Sequence, residues 1–428
     1  MPRFSRRRFV QSSLSAMLAA AVAPQFIASR LLGENAPSKR VSLGFIGVGS
    51  HGVAVNLMSF LYEPDCVVRV VCDVFGSKAA KAKEIVDQHY GNADCIVLRD
   101  FRAVLARADI DAVVISTPDH WHVPMALLAL EAGKMVFCEK PTLTIQQGRQ
   151  LAAAVQKSGL LFATGIEDRA VIQYHMLAEA VRNGAIGQLK HIEVGLVEKP
   201  IFPAEDPAPV PADLNYEMWL GPAPFRPFTP RLTEDQVWRQ VRDFSGGSLT
   251  DWGAHLVDTA QVANFSEDSS PVAVEGTGVI PPNAINSVPQ TYRINYRYAN
   301  GVTMAVASTG VAIRFEGTEG WVGNKGWLGR LEGSNMDVFR RKYDPAVNKL
   351  WPRRPREQRD FLDSIKSGQP PMYTAEALHR LSTTLHLGAL AMELKRPLTW
   401  DPKAEIFTGD DEANALRARP QRIDWQRA

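Results

Sequence analysis

Cysteine is scarce in this sequence. Four cysteines occur among 428 residues, and no two of them have the C-x-x-C spacing. Cys66, Cys72 and Cys138 lie in or beside apolar segments, while Cys95 follows a predicted loop. A disulfide framework is typical of short chains with several regularly spaced cysteines. We therefore expect buried free thiols and no disulfide framework.

An excess of charge of either sign is also lacking. Lysine and arginine number 48, and aspartate and glutamate number 46, which gives a formal net charge of +2. Beyond the first residues there is no long basic block, so the composition argues against a nucleic-acid partner. No internal repeat is evident. A chain of this length is too long for one typical core, and two domains with extensions are expected.

The apolar run near the start, Leu14 to Ala23, is too short to cross a bilayer, so we expect no stable membrane insertion. It follows Ser5 to Val10, a segment whose consecutive arginines and phenylalanine resemble a twin-arginine export signal. We therefore interpret residues 1–38 as signal and linker, and expect a periplasmic or otherwise exported protein. Ala21 to Ala23 is typical of a cleavage site, but Pro24 would hinder a signal peptidase, and the cleavage position stays open.

From Val41 onward, predicted strands and helices alternate, which indicates an α/β fold with a parallel sheet. A first strand, Val41 to Ile46, leads into a glycine-rich turn before a helix, and a second strand ends at Asp73. Such a turn lets the backbone approach a pyrophosphate, and an acid about 20 residues further on binds the adenosine ribose. The predicted turn residues are Gly47, Val48, Gly49, Ser50, His51 and Gly52. Since the Asp73 carboxylate would repel a 2′-phosphate, we expect NAD, with NADP as the less favoured alternative.

The stretch from Val113 to Pro141 organises the rest of the chain. Val113 to Ile115 and Met135 to Cys138 are predicted to be buried strands, with a helix between them that has Pro124 in its first turn. Ligands of such sheets bind at the carboxyl ends of the strands. We therefore expect one crevice that contains residues from both strand ends, namely Thr117, Pro118, His120, Trp121, His122, Glu139 and Lys140.

The second half of the chain has a different pattern. Asp251 and His255 are four residues apart at helical spacing and should face the same way. Between residues 272 and 322, five predicted strands follow one another without helices, which indicates an antiparallel sheet. Helices at Glu357 to Ser367 and Ala375 to Leu394 complete this part.

These motifs resemble the Gfo/Idh/MocA family of sugar and cyclitol dehydrogenases, in its exported branch. The resemblance is carried by the glycine-rich turn and Asp73, by residues 117–122, by Glu139-Lys140-Pro141, by Asp251-x-x-x-His255, and by residues 219–222 and 245–247. It implies a Rossmann NAD-binding domain at 39–165. It also implies an α/β domain at 166–428 whose large, open, mainly antiparallel sheet carries the substrate and forms a homo-oligomer.

The resemblance further implies that Lys140 is the central catalytic residue, with Asp251 and His255 beside it. Where many relatives have Asn or Gln in the loop after the last Rossmann strand, this chain has Glu167. We include Glu167 among the expected cofactor contacts.

The chemistry of hydride removal from a secondary alcohol requires a base for the hydroxyl proton. Lys140 is expected beside the nicotinamide, where partial burial and the cationic ring would lower its pKa. His255 could share the proton transfer, with Asp251 orienting it or the substrate. Trp252 could stack on a sugar face, and Arg169 and Arg239 are candidates for contacts with substrate hydroxyls.

A metal site is an alternative use of His120 and His122, completed by Asp119 or His255. We favour a simpler role for this loop, in lining the cofactor, and expect no metal.

Three function classes remain open. The first is an oxidoreductase that acts on a sugar, cyclitol or glycoside with a tightly held cofactor. The second is a redox-neutral, NAD-dependent glycosidase, in which oxidation, elimination, water addition and reduction follow one another. The third is a non-catalytic sugar sensor, against which the presence of both Lys140 and His255 argues.

Overall fold

The structure is a computed structural model, and it describes residues 40–422. The predicted export signal and linker, 1–38, lie outside the described residues. Within the described range, no helix is both long enough and apolar enough to cross a membrane. The four cysteines are all free and buried, as expected from their spacing.

The first domain is built on a parallel sheet of six strands in the order β3-β2-β1-β4-β5-β6. This order is that of a dinucleotide-binding fold, with its crevice where the strand order reverses between β1 and β4. The strands are apolar and largely buried because helices cover both faces. Their bounds are β1 Val41–Ile46, β2 Cys66–Cys72, β3 Ile96–Leu98, β4 Ala112–Ile115, β5 Met135–Glu139 and β6 Phe162–Gly165.

The helices of this domain follow the strands, except that the segment after the glycine-rich turn is a π-helix, Gly52–Leu57. It continues directly into a short α-helix. The α-helices of the domain are α1 Met58–Leu61, α2 Gly76–Tyr90, α3 Phe101–Leu105, α4 Asp119–Glu131 and α5 Ile145–Ser158.

The prediction that places Pro124 in the first turn of its helix is wrong. Helix α4 begins at Asp119, directly after Pro118, so that Pro124 lies inside it. Contacts with residues outside the helix stabilise this early start. The Trp121 indole N–H donates to the carbonyl of Met218, and His120 Nε2 lies 2.9 Å from the carbonyl oxygen of Trp219. These tertiary contacts outweigh the local signal of a proline.

The second domain contains a sheet of nine strands in the order β13-β12-β11-β7-β10-β9-β8-β14-β15. It is mainly antiparallel, as expected, with one exception. Strand β7 lies between β11 and β10 and pairs in parallel with β10. Successive strands therefore do not all pair with their sequence neighbours. The bounds are β7 Leu189–Gly195, β8 Ala273–Val279, β9 Thr291–Arg297, β10 Thr303–Ala307, β11 Ala312–Gly317, β12 Gly320–Lys325, β13 Leu331–Gly333, β14 Leu398–Asp401 and β15 Ile406–Phe407.

The helices of the second half cover one face of this sheet and complete the interface with the first domain. Two of them, α11 and α12, have the predicted bounds. A 3₁₀-helix spans Met336–Arg340. The α-helices are α6 Ile172–Arg182, α7 Tyr216–Leu220, α8 Asp235–Trp238, α9 Ser248–Asp251, α10 Gly253–Ala263, α11 Glu357–Ser367, α12 Ala375–Leu394 and α13 Asp411–Ala415.

Helix α11 belongs to the second domain by sequence but packs into the core of the first. Phe361 is fully buried there, with its ring edge-on to Phe60 at 6.2 Å and to Phe137 at 5.6 Å. The sequence division at residue 165 matches the end of β6, but the apolar face of α11 is buried against the first sheet. The hydrophobic core of the first domain therefore includes residues of α11 from the second domain.

We predict that Phe361→Ala lowers the free energy of unfolding by about 3–5 kcal/mol, because it leaves a cavity beside the rings of Phe60 and Phe137. Chemical denaturation measures the change. Tyr62→Ala is the control, since Tyr62 is 72% exposed and its removal should change stability by less than about 0.5 kcal/mol. A small effect of Phe361→Ala would mean that α11 contributes little to the first domain.

Candidate functional site

A cleft of about 400 Å³ lies at the carboxyl ends of the parallel strands and faces the second domain. It brings together most of the residues that the sequence singles out. They are Gly47, Gly49, Ser50, His51, Gly52, Asp73, Thr117, Pro118, Trp121, His122, Glu139, Lys140, Glu167, Asp251, Trp252 and His255.

Three expected site residues do not line the cleft. The Val48 side chain is buried in the first domain, although its N–H donates to Asp73 Oδ2. His120 is fully buried, and its Nε2 lies against the Trp219 carbonyl. Arg169, expected to contact substrate, instead pairs with Asp258 at 2.8 Å and donates to the Met372 carbonyl.

The glycine-rich turn fits a dinucleotide. Gly47 has φ +85°, and a Cβ there would meet the Ser116 carbonyl oxygen at 2.6 Å, so only glycine suits this position. A Cβ on Gly49 would meet no atom within 4 Å, which leaves open space where a pyrophosphate approaches the backbone. The turn thus has the close backbone approach that dinucleotide binding requires.

Asp73 is fixed at the ribose end of the cleft. Its two carboxylate oxygens accept hydrogen bonds from the N–H groups of Val48 and Phe75, each at 2.9 Å. Burial raises the pKa of Asp73, although these two bonds counteract the increase. The carboxyl group is therefore held beside the glycine-rich turn, as predicted.

Sequence reasoning missed two residues at this end. Phe75 lines the cleft with Lys78 Nζ 4.0 Å from its ring centre. Arg99 also lines the cleft, and its guanidinium donates to the carbonyls of Val74 and Asp213. Arg99 directly follows β3 and Phe75 lies just beyond Asp73, so their positions at strand ends were a signal that could have found them.

Glu139, at the end of β5, is a buried anion with several partners. Its Oε1 lies 2.9 Å from His51 Nε2 and accepts a hydrogen bond from Asn56 Nδ2 at 2.9 Å. Burial acts to raise the pKa of Glu139, but His51, Lys140 and Asn56 outweigh it and lower the pKa to about 2. The same pairing raises the pKa of His51.

Lys140 is held by Asp251 from the second domain. Its Nζ donates to Asp251 Oδ1 at 2.8 Å and to the Asp251 carbonyl at 3.0 Å. Burial acts to lower the pKa of Lys140, but the carboxylates of Asp251 and Glu139 outweigh it and raise the pKa. The expectation of a lowered pKa is therefore corrected: in the protein itself, the ammonium form is stabilised.

Asp251 is the centre of a group of cations. Besides Lys140 it has Lys199 Nζ at 3.3 Å and Arg239 Nε at 3.9 Å. Burial would raise the pKa of Asp251, but these three cations hold it well below its usual range. Lys199 was not predicted, and Arg239, a sequence candidate, lines the cleft.

His255 has a different partner from the one expected. Asp251 lies at the end of α9 and binds Lys140, whereas His255, in α10, has its Nδ1 2.8 Å from Asp168 Oδ2. Burial lowers the pKa of His255, and the nearby Glu167 acts against this. Asp168 was missed, although it directly follows the predicted contact Glu167.

The alternative of a metal on His120 and His122 is not supported by their contacts. His122 Nδ1 and Nε2 each lie 2.9 Å from a carbonyl oxygen, those of Pro141 and Thr117. Neither nitrogen is free for a metal ion. Glu167, Asp168 and His255 do bring ligand atoms within 4.8 Å of one another, but the Asp168–His255 contact already uses two of them.

A segment of the second domain lies along the cleft and contacts the first domain. We call residues 200–245 the strap; its aromatic residues form a separate apolar cluster with Val74 and Phe75. Asp213 accepts hydrogen bonds from the Ser77 N–H and hydroxyl at the start of α2, and Ser50 Oγ donates to Asp235 Oδ2 at 2.7 Å. Ser245 Oγ donates to Asp119. The strap is thus bound to the adenosine, pyrophosphate and catalytic ends of the cleft.

Comparisons with known proteins agree with this arrangement. The chain is 33% identical over 190 residues to glycosyl hydrolase family 109 protein 1 of Shewanella sp. strain MR-4, and 32% identical over 190 residues to an alpha-N-acetylgalactosaminidase of Shewanella oneidensis. Each match covers 42% of this chain and 40% of the relative, so less than half of those relatives' length is spanned.

Among solved structures, levoglucosan dehydrogenase in complex with NADH and levoglucosan has a similar fold. The TM-score is 0.61 at 20% sequence identity, and the match covers 87% of this chain and all of that one. Residues 41–166 match the NAD-binding Rossmann fold of the Gfo/Idh/MocA oxidoreductase family, and residues 202–427 match its C-terminal α/β domain. The chain belongs to the Gfo/Idh/MocA family of NAD-binding oxidoreductases.

Proposed function

We propose that this protein oxidises a secondary hydroxyl of a sugar, cyclitol or glycoside and keeps its dinucleotide bound between turnovers. The observation that carries the proposal is that one cleft contains two groups able to donate or accept protons, Lys140 and His255. Lys140 forms an ion pair with Asp251, and His255 contacts Asp168. Lys140 and His255 both line the cleft that contains the glycine-rich turn.

Bound NAD would supply the hydride acceptor, and the residues of this chain supply the rest. The Lys140 ammonium donates a hydrogen bond to the substrate oxygen and stabilises negative charge on it, as a preorganised cation does. His255, neutral because burial lowers its pKa, takes the hydroxyl proton. Trp252 offers an aromatic face for a sugar ring.

The strap supports retention of the dinucleotide. It lies over the adenosine end at Val74 and Phe75 and over the pyrophosphate end at Ser50. Release requires several of these hydrogen bonds to break together, which slows dissociation.

A redox-neutral glycosidase is the second candidate, favoured by the names of the curated relatives. In that cycle, oxidation of a ring hydroxyl acidifies the neighbouring carbon, a base removes its proton, the glycosidic bond breaks, water adds and the hydride returns. Two separate proton-handling pairs, one on Lys140 and one on His255, suit a cycle with two proton transfers.

Export and self-association complete the proposal. The arginine motif at Ser5 to Val10 supports a periplasmic location, where a free NAD pool is lacking. The outer face of the second sheet supports a homo-oligomer: along Thr291–Arg297, every second residue is exposed, and the described residues do not cover this face. Fractionation and light scattering test these two points.

We predict that the purified protein contains about one NAD per chain and acts on substrate with none added. A screen of free sugars and aryl glycosides, read for reduced-nicotinamide absorbance and for aglycone release, distinguishes the two candidate functions.

Asp213→Ala should speed NAD loss by about tenfold or more, because the strap loses its hydrogen bonds to Ser77. Asp206→Ala, an exposed change in the same strap, is the control. A protein that emerges empty and needs a continuous NAD supply contradicts retention.

Lys140→Ala is predicted to lower turnover by about 10²-fold or more, with folding and bound NAD largely unchanged, since it removes the cation at the substrate oxygen. Steady-state kinetics and the amount of NAD released on denaturation measure the two effects. Lys157→Ala, an exposed lysine of the same domain, should behave as the unaltered protein. Near-full activity of Lys140→Ala would remove this residue from the mechanism.

The choice of dinucleotide is predicted to depend on Asp73. The unaltered protein should carry NAD, and Asp73→Ser should raise the NADP share by about tenfold, about 1.4 kcal/mol, because the repulsive carboxylate is gone. Chromatography of the nucleotide released on denaturation gives the ratio. Asp94→Ser, at an exposed position nearby in sequence, serves as the control. Equal amounts of NAD and NADP from the unaltered protein would show that Asp73 does not discriminate.

A further inference from the structure

The loop after β6 carries a buried acid that sequence motifs did not single out. Asp168 is 1% exposed, and its Oδ2 lies 2.8 Å from Nδ1 of His255 in α10. Glu167, the neighbouring residue that was predicted, is 3.6 Å from the same nitrogen, and its side chain is 40% exposed. Asp168 is therefore the closer and better shielded partner.

The contact with Asp168 uses Nδ1 of His255, so Nε2 of the imidazole is available to a substrate in the cleft. Within residues 40–422, His255 Nε2 has no hydrogen-bond partner, while the ring itself lines the cleft. The rings of Trp252 and Trp327 lie 5.9 and 5.0 Å from the imidazole and restrict its rotation. The ring is thus fixed in the orientation that presents Nε2 to a substrate.

We propose that Asp168 is a positioning residue that holds His255 in the tautomer with its proton on Nδ1, so that Nε2 is the base for the substrate hydroxyl. This inference rests on the proposed function and assigns its proton acceptor. Lys140 is excluded as the primary acceptor by its two bonds to Asp251, which keep its proton in place.

The proton balance of the pair is simple. When Asp168 and His255 together hold two protons, Nε2 is protonated and inactive as a base. When they hold one, that proton lies on Nδ1 between the two groups, and Nε2 has a free lone pair. Removal of a hydroxyl proton returns the pair to the two-proton state, and the proton then leaves through the cleft.

The pair titrates in a field of several charges, so its apparent pKa belongs to both groups. Burial raises the pKa of Asp168 well above its usual range, with Asp258 adding to the increase and Lys140 and Arg169 opposing it. The groups that act on His255 are Asp168 and Glu167 from the loop after β6, Glu139 and Lys140 from the end of β5, and Asp251 from α9. Loss of the Asp168 carboxyl removes the partner that stabilises the protonated imidazole.

The test is Asp168→Asn, an isosteric change that removes the charge. We expect kcat/KM to fall by about 10²-fold, bound NAD to stay, and the acid limb of the pH profile to move to lower pH, because His255 then protonates less readily. In a His255→Ala background, Asp168→Asn should cause no further loss, since the two act as a unit.

The matched control is Glu405→Gln. It disrupts a histidine–carboxylate contact of the same length, 2.8 Å to buried His379, away from the cleft. It should lower stability without moving the pH profile. An unmoved acid limb in Asp168→Asn, or additive losses with His255→Ala, would leave Asp168 with a merely structural role and overturn the proposal.

A second measurement needs no variant of Asp168 and no substrate. Nitrogen-15 NMR of the histidine-labelled protein, with His255 assigned by its loss in His255→Ala, reports the tautomer. Above the acid limb we expect the Nδ1–H form, and the Nε2–H form overturns the proposal. Failure to oxidise any carbohydrate would instead refute the proposed function, and the tautomer would still decide the role of Asp168.

Discussion

The buried ion pair between Lys140 and Asp251 is the interaction on which the position of the Lys140 ammonium in the cleft depends. Lys140 directly follows β5 of the first domain, and Asp251 ends α9 of the second; their side chains are 9% and 18% exposed. Two charges removed from water in this way are stable only if their remaining hydrogen-bonding groups also have partners. Lys140 meets this requirement with the Asp251 carbonyl, and Asp251 meets it with Lys199. The pair thereby joins the first domain to the second at the cleft.

Other contacts also join separate elements around the cleft. Asp168 joins the loop after β6 to α10 through His255. Gln358 of α11 donates to Asn56, which in turn donates to Glu139. Asp168, Glu139 and Asp251 are therefore each fixed by a side chain from another element. Such fixed dipoles and charges need little reorganisation when charge develops on a substrate, which is the physical basis of electrostatic catalysis.

The outcome for individual residues shows how far the sequence could lead. Gly47, Asp73 and Lys140 were found because each follows a strand directly, and the strand end fixes its position in any parallel sheet. Asp168 and Arg169 also follow a strand end, but their partners, His255 and Asp258, come from α10, and the local sequence does not show these pairings. His120 was misplaced for a related reason, because helix α4 begins before it and turns its ring to the Trp219 carbonyl.

The sequence by itself determined the elements and pointed to the candidate reactive groups: an α/β first domain with a dinucleotide-binding turn, a mainly antiparallel second sheet, and a lysine, an aspartate and a histidine proposed for the chemistry. These follow from periodicity, glycine placement and motif spacing, which are local properties of the chain. Only the tertiary structure decided the pairing of Lys140 with Asp251 and of His255 with Asp168, the position of the strap, and the insertion of β7 between β11 and β10. A pKa depends on burial and on charges a few ångströms away, and residues more than 80 positions apart supply those charges here.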